Sequence, residues 1–355
     1  MASIFFLLGF WLHYPGLVPS NYSDIIDVIW RKTAEGKIIV PYIGYELEYP
    51  ALSAILVYVS STWRNLYGYY YTLSLISYGS MLLSIYLVYK ILARRNLSIH
   101  RITYFIIFTP TFLYFSIYSF DWFSVALLLL SIYYAHNKKA SLSGLFMGFS
   151  VAARIIPIVC LPFVVREFSS WRKRMLVLIM AALAWLACNI YFILADFEGF
   201  LYPYLHQTFI QANESSWLNL FPTSIGKFMS AALLLGVLAL ILLWGKGRLD
   251  LFESSFLALL GFVLVSFKFP PQYMILLLPF FALHRTNYIL FTAANLLNVM
   301  IILWWFTPSF NFGNPWLVSS PVQWLAMARQ IILLPIFISF LRLGSTKSNT
   351  EFKVL

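Results

Sequence analysis

SFDWFSVALLLLSIYYAHNKKASLSGLFMGFSVAARIIPIVCLPFVV, residues 119–165, is the stretch on which the fold turns. It holds an apolar run, 122–135, a basic turn at Lys138 and Lys139, and a second apolar run, 141–165. Runs of this kind read as helices whose solvent is lipid. The second run is interrupted by Arg154 and Pro157. Proline removes a backbone donor and clashes with the preceding turn, so the run reads as a bent pair that goes in and returns. A broken backbone at that depth is tolerated only where protein or a water-filled cavity covers it.

The same pattern extends in both directions. Apolar runs able to span lie at 1–18, 70–92, 102–118, 175–195, 226–244, 251–267, 270–283, 287–306 and 321–342. Together they predict an all-α membrane protein, a polytopic bundle of about 10–13 transmembrane helices. Composition agrees: of 355 residues 61% are hydrophobic and 10% charged, more apolar material than a water-soluble core of this size needs. The 12 Trp and 23 Tyr suit a bilayer interface, where one edge of the ring is wet. Residues 1–17 read as a retained first span, because the stretch lacks a basic start and a small-residue cleavage site. Cys160 and Cys188 both sit in apolar runs and offer neither a disulfide framework nor metal spacing.

A net charge of +11 would suggest nucleic acid in a soluble chain, but here the cations come in short bursts between apolar runs. They read as topology signals. Arg94, Arg95 and Arg101, then Lys138 and Lys139, then Arg166, Arg172, Lys173 and Arg174, then Lys246 and Arg248, then Arg285, then Arg342 mark alternate loops as cytoplasmic. The other loops hold nine of the thirteen carboxylates. The segment 50–63 would spoil this alternation as a full span, so it reads as re-entrant or interfacial. The expected organisation is one membrane domain, 1–342, with outer loops 19–49, 196–225 and 307–320, then a cytoplasmic tail, 343–355. That places the chain as a multi-pass protein of the plasma membrane in a prokaryote or of the endoplasmic reticulum in a eukaryote. Two sequons, at Asn21 and Asn213, fall in outer loops.

The loop 19–49 concentrates carboxylates directly after the first span. Asp24 lies at headgroup level, where a lipid-linked substrate presents its polar part. It reads either as a general base that takes a proton from an acceptor hydroxyl or as an N-cap of a helix over 25–34. Asp121 reads as acidic support for the same cavity or, the plainer alternative, as the N-cap of the helix that begins at Trp122. Arg154 is read as the one basic residue inside a predicted membrane pair, with either a ligand phosphate or an intramembrane carboxylate, Asp121, as its partner. Lys268, which with Gln272 and Tyr273 surrounds Pro270 and Pro271, reads as a phosphate contact or as a lysine snorkelling to water. His206 belongs to an outer loop able to clamp a substrate, and it lacks partners at metal-ligand spacing.

The order of these elements resembles the lumenal first loop of GT-C glycosyltransferases, in particular the GPI mannosyltransferase I family and its prokaryotic relatives. The carrying residues are Tyr22, Ser23, Asp24, Gly36, Pro41, Tyr42, Glu48, Tyr49 and Pro50, and similarity recurs over 119–165 and over FKFPPQYMILLLPFFAL, 267–283. The eukaryotic enzyme has two aspartates separated by one residue in this loop; here Ile26 stands where the second would be and Asp27 follows. The resemblance implies a functional first extracytoplasmic loop and sugar transfer, hexosyl or more narrowly mannosyl, from a polyprenyl-phosphate-linked donor to a lipid or glycan acceptor. It implies Asp24 as the catalytic base, Asp27, Asp121 and Glu48 as acidic support, and Arg154 and Lys268 on the donor phosphate. Gln272, Tyr273, Tyr49 and His206 become substrate contacts. No cofactor is assigned, a divalent metal stays open without ligand spacing to support it, and no nucleic-acid partner is expected. Two rival classes remain open: a transporter or flippase of lipid-linked sugar, which predicts carboxylates inside the membrane for ion coupling, and a non-catalytic subunit of a transferase complex.

Overall fold

The computed structural model describes residues 1–17, 22–34, 38, 40–43, 46–209, 216–284, 286–306 and 313–346. Asn21, Glu35, Gly36, Asn213, Glu214 and Arg285 lie outside the described residues, as do 307–312 and 347–355. Among the described residues the regular elements are all helical, and the chain forms two compact units, Met1–Ile210 and Gln211–Leu355. Five helices among the described residues are long and apolar enough to cross a membrane: Leu66–Arg94, Trp171–Ala195, Thr223–Trp244, Tyr288–Phe306 and Pro321–Arg342. Shorter apolar helices accompany them. This is a multi-pass, all-α membrane protein.

The first unit contains α1 (Ala2–Leu12), a π-helix (Asp24–Ala34), α2 (Ala51–Ser61), α3 (Leu66–Arg94), the single turn α4 (His100–Ile102), α5 (Pro110–Phe115), α6 (Asp121–His136), α7 (Ala140–Ala153), α8 (Leu161–Arg166), α9 (Trp171–Ala195) and α10 (Phe197–Phe209). Its centre is α7, packed between α6 and α9. Small residues set both interfaces. A Cβ on Gly144 or Gly148 would come within 2.3 Å of the Val177 carbonyl or 2.2 Å of the Ala181 carbonyl, so α9 can lie this close only against glycine. On the opposite face, Ser131 and Ser143 each donate to the other's carbonyl (2.8 and 2.9 Å), and Ser150 donates to the Ser124 carbonyl (3.0 Å). Lipid tails are as apolar as leucine, so close packing and such hydrogen bonds are what hold helices together there.

The expected break in 141–165 is present: α7 stops at Ala153, Arg154 is extended, and a 3-10 turn (Ile156–Cys160) leads into α8. Ser53 of α2 donates to the Ala153 carbonyl (2.8 Å), which satisfies one acceptor at the broken end. With 11 residues, α2 is about 17 Å long, well short of a ~30 Å hydrocarbon core. The run 102–118, expected as one span, is broken instead. A π-helical stretch (Thr103–Ile107) ends before Thr109, which is extended and accepts from the Phe112 amide, and α5 restarts at Pro110. Proline keeps the residue before it out of the helical region, so the break falls where Pro110 put it. The stretch 196–225, expected as an outer loop, holds α10 and a 3-10 turn (Trp217–Leu220).

The second unit is built from α11 (Thr223–Trp244), α12 (Leu251–Val265), α13 (Met274–Leu283), α14 (Tyr288–Phe306) and α15 (Pro321–Thr346). Asp250 and Glu253 form a reciprocal capping box that starts α12. Ile301, Val322 and Ala326 make a buried seam between α14 and α15, flanked by Trp304 and Trp305. Arg329, Gln323 and Gln330 are buried on α15. A second arginine is buried in an apolar helix: Arg329 is 0% exposed in α15.

Candidate functional site

The π-helix after α1 buries Ile25, Ile26, Ile29 and Trp30. Positions at i, i+1, i+4 and i+5 share a face when the helix winds wider than 3.6 residues per turn, and π-turns recur at functional sites. Trp30 packs on Tyr69 of α3, ring centroids 5.0 Å apart. This docking turns Asp24 inward, where it is 7% exposed. Asp27 plays a different part. Its carboxylate accepts from the Ser23 amide (2.7 Å) and pairs with Arg31 (2.9 Å), so it closes the start of the helix. The helix-start role considered for Asp24 is thus filled by Asp27.

Asp24 Oδ2 accepts from the Tyr49 hydroxyl at 2.9 Å, and Tyr22 also hydrogen-bonds to Asp24. The Tyr49 backbone carbonyl in turn accepts from the Tyr42 hydroxyl. Over the Tyr49 ring, 4.9 Å from its centroid, lies the Arg154 guanidinium, held at the break after α7. Arg154 Nη2 is 2.9 Å from Asp121 Oδ1 and donates to Ser119 Oγ (3.2 Å), and Ser119 donates to the other Asp121 oxygen. The plainer reading of Asp121 as an N-cap is corrected: α6 has Phe120 at its cap with no side-chain hydrogen bond, and Asp121 points to Arg154 instead. Arg154 thus pairs with Asp121, the carboxylate considered as its partner.

Four residues singled out in the sequence, Asp24, Tyr49, Asp121 and Arg154, therefore form one contiguous cluster. Burial pushes the Asp24 carboxyl up. The Tyr49 hydrogen bond and the Arg154 charge partly offset this, while Glu48 and Asp121 add to the rise, and the result is about 6. The carboxylate is poised nearer neutrality than an exposed aspartate, as suits a general base.

Glu48 and His206 flank the cluster as a pair, Nε2 to Oε2 3.1 Å, with the Tyr202 ring 5.2 Å from the imidazole. Tyr202 hydrogen-bonds to Glu46. Gly199 completes this face of α10, because a Cβ there would come within 2.1 Å of the Tyr42 carbonyl. Residues 199, 202 and 206 thus clasp the segment that carries Tyr42 and Tyr49. Between α2 and α9 an open groove of about 410 Å³ is lined by Val40, Pro41, Ile55, Val59, Ala187 and Phe192, among others. Its wall joins the cluster, since Phe192 stacks edge-on against Tyr42 (5.0 Å).

Lys268, Gln272 and Tyr273 belong to the second unit, on the turn between α12 and α13. The Lys268 backbone is pinned by Ser266, whose hydroxyl donates to its carbonyl (2.6 Å) and accepts from its amide (3.3 Å). Arg329 holds the rest of the turn. It donates to the Phe269 carbonyl and to Asn298 Oδ1 (2.5 Å each), while Asn298 donates to the Pro271 carbonyl (2.9 Å). Its guanidinium carbon sits 3.6 Å from the Phe269 ring centroid. The sequence signal for Arg329 was a cation in the middle of the apolar run 321–342. Among the described residues no group of three or more His, Cys, Asp and Glu is placed to hold a metal ion.

The class that fold and site define is a multi-pass membrane protein with a buried carboxylate–guanidinium cluster under its first loop. No protein-family model matches the chain, and no curated protein matches it.

Proposed function

We propose that the protein is an integral membrane glycosyltransferase of GT-C type that passes a hexosyl group, mannosyl by the sequence resemblance, from a polyprenyl-phosphate-linked donor to a lipid or glycan acceptor. The observation that carries this reading is Asp24, a buried loop carboxylate with its pKa pushed up to about 6 and joined through Tyr49 to Arg154. Asp24 takes the proton of the acceptor hydroxyl, the acceptor oxygen bonds to the sugar's anomeric carbon, and the bond from that carbon to the phosphate oxygen breaks with its electron pair on the phosphate. The two carboxylates and one guanidinium carry one net negative charge, and proton uptake by Asp24 removes it as negative charge builds on the leaving phosphate. Arg154 then stabilises that charge. Asp121 orients Arg154, and Asp27 and Glu48 support the first loop. The apolar groove beside Tyr42 suits a hydrocarbon chain. Lys268, with Gln272 and Tyr273, is a separate candidate phosphate contact on the second unit.

Incubation of the purified protein with polyprenyl-phosphomannose and candidate lipid acceptors tests the reading. Asp24→Asn is expected to lower turnover on the order of 10²–10⁴-fold, and Arg154→Lys or Lys268→Ala to raise the apparent donor KM. Full turnover in Asp24→Asn rejects the base; unchanged donor kinetics in both cation variants rejects the phosphate contacts.

One observation favours a second reading. Asp121 is 1% exposed in the first turn of a membrane-associated helix and paired with arginine, an arrangement that ion-coupled transporters also use. Proton flux into liposomes driven by lipid-linked sugar, with no product formed, would select it.

A further inference from the structure

The end of the first unit formed by the turns 94–101, 137–140 and 166–174 carries nine Lys and Arg side chains against one carboxylate, Glu167. These turns are tied together. Arg94 donates to Asn137 (2.7 Å) and lies over the Tyr133 ring (5.1 Å), Lys138 pairs with Glu167, and Arg174 donates to the Phe168 carbonyl (2.6 Å). The excess exceeds what a loop-charge bias alone produces in this chain, since the α11–α12 turn sets Lys246 and Arg248 against Asp250 and Glu253. Nor does the fold account for it. Arg172, Lys173 and Arg174 occupy the first turn of α9, where the helix dipole disfavours cations and no acidic residue is present to offset them. Arg172, Lys173 and Lys139 are exposed.

Depth identifies the partner. Lys139 lies over the Tyr134 ring (5.9 Å) and Arg94 over the Tyr133 ring (5.1 Å), and both tyrosines stand in the last turn of α6. Rings at such positions mark the hydrocarbon boundary, so the cations stacked on them sit in the plane of lipid headgroups. We propose that this end of the first unit is a binding surface for anionic phospholipids, with Lys139, Arg172 and Lys173 as its outward phosphate contacts. It rests on the charge and aromatic geometry alone and is independent of the sugar-transfer reading.

The test uses the full-length chain in nanodiscs of phosphatidylcholine containing a minority of phosphatidylglycerol, with retained lipids quantified by native mass spectrometry. The wild type is expected to enrich phosphatidylglycerol, and Lys139→Gln/Arg172→Gln/Lys173→Gln to lose on the order of fivefold of that enrichment per side chain removed. Lys139→Arg/Arg172→Lys/Lys173→Arg should keep it, and all variants should melt within a few degrees of the wild type. Enrichment should fall in high salt. Equal enrichment in the triple glutamine variant, or no preference for phosphatidylglycerol in the wild type, overturns the proposal. So does full competition by inorganic phosphate or soluble polyglutamate at matched charge, which would assign the surface to a soluble anion or an acidic protein.

Discussion

Among the described residues each unit buries one arginine, and the two are satisfied in opposite ways. Arg154 sits where a helix has stopped, and its described partners include a carboxylate, Asp121, and the face of Tyr49. Arg329 sits inside a continuous helix and reaches a backbone carbonyl, an amide oxygen and the face of Phe269. The first arrangement gathers ionisable groups from four separate segments around Asp24. The second fastens one turn. A broken helix frees side chains to converge, whereas a continuous one spaces them along a face; chemistry is therefore expected at Arg154 and support at Arg329.

Arg154→Met should break this contrast most severely. It leaves Asp121 buried without its cation, a loss of about 3–5 kcal/mol, whereas Arg154→Met/Asp121→Leu should recover most of that stability and no activity. Denaturant titration in detergent of the single and double variants gives both numbers. Arg329→Met orphans two acceptors at a cost of about 2–4 kcal/mol. With Arg329 acting only as support, the loss should appear as a lower Tm with little change in the pH dependence of turnover.

Asp24 sharpens the comparison through pH. Its folded pKa, about 6, lies above the ordinary aspartate value of 3.8, so the stability this group contributes is fully present below about pH 4 and is lost as pH rises through 6. Activity should run the other way, rising through an apparent pKa near 6 as the base ionises. Asp24→Asn should accordingly be more stable than the wild type at pH 7.5, by about 3 kcal/mol, while turnover falls; equal or lower stability would contradict the burial that raises the pKa. Gly199→Val should drive α10 off the Tyr42 carbonyl for about 1–3 kcal/mol and speed amide hydrogen exchange in the segment around Tyr42 and Tyr49. The smallest effect is expected from His206→Ala. The Glu48 pair is partly solvated, so its loss should cost under about 1 kcal/mol.

Much of this was legible from residue order. Pro157 and Arg154 announced the break after α7, Pro50 and a short apolar run announced α2, and the carboxylates after the first span announced the loop that forms the cluster. Pro110 carried the same signal as Pro157 inside 102–118, yet the unbroken apolarity of that run hid it. Helix α10 was hidden by its aromatic and polar composition, and Pro203 lies within it. The resemblance ranked Asp24 above Asp27, but spacing could not say which faces inward, because both stand in one turn and only the docking of Ile25, Ile29 and Trp30 decides it.

Residue order by itself determined that this is a helical membrane protein, since hydropathy and proline act over one or two turns and need no partner. Only the tertiary structure decided that Asp121 answers Arg154, that Tyr49 links Arg154 to Asp24, and that Arg329 fastens a turn some sixty residues away. Those choices depend on which side chains meet when separate helices pack, and burial then makes an unmatched charge too costly to leave where it falls.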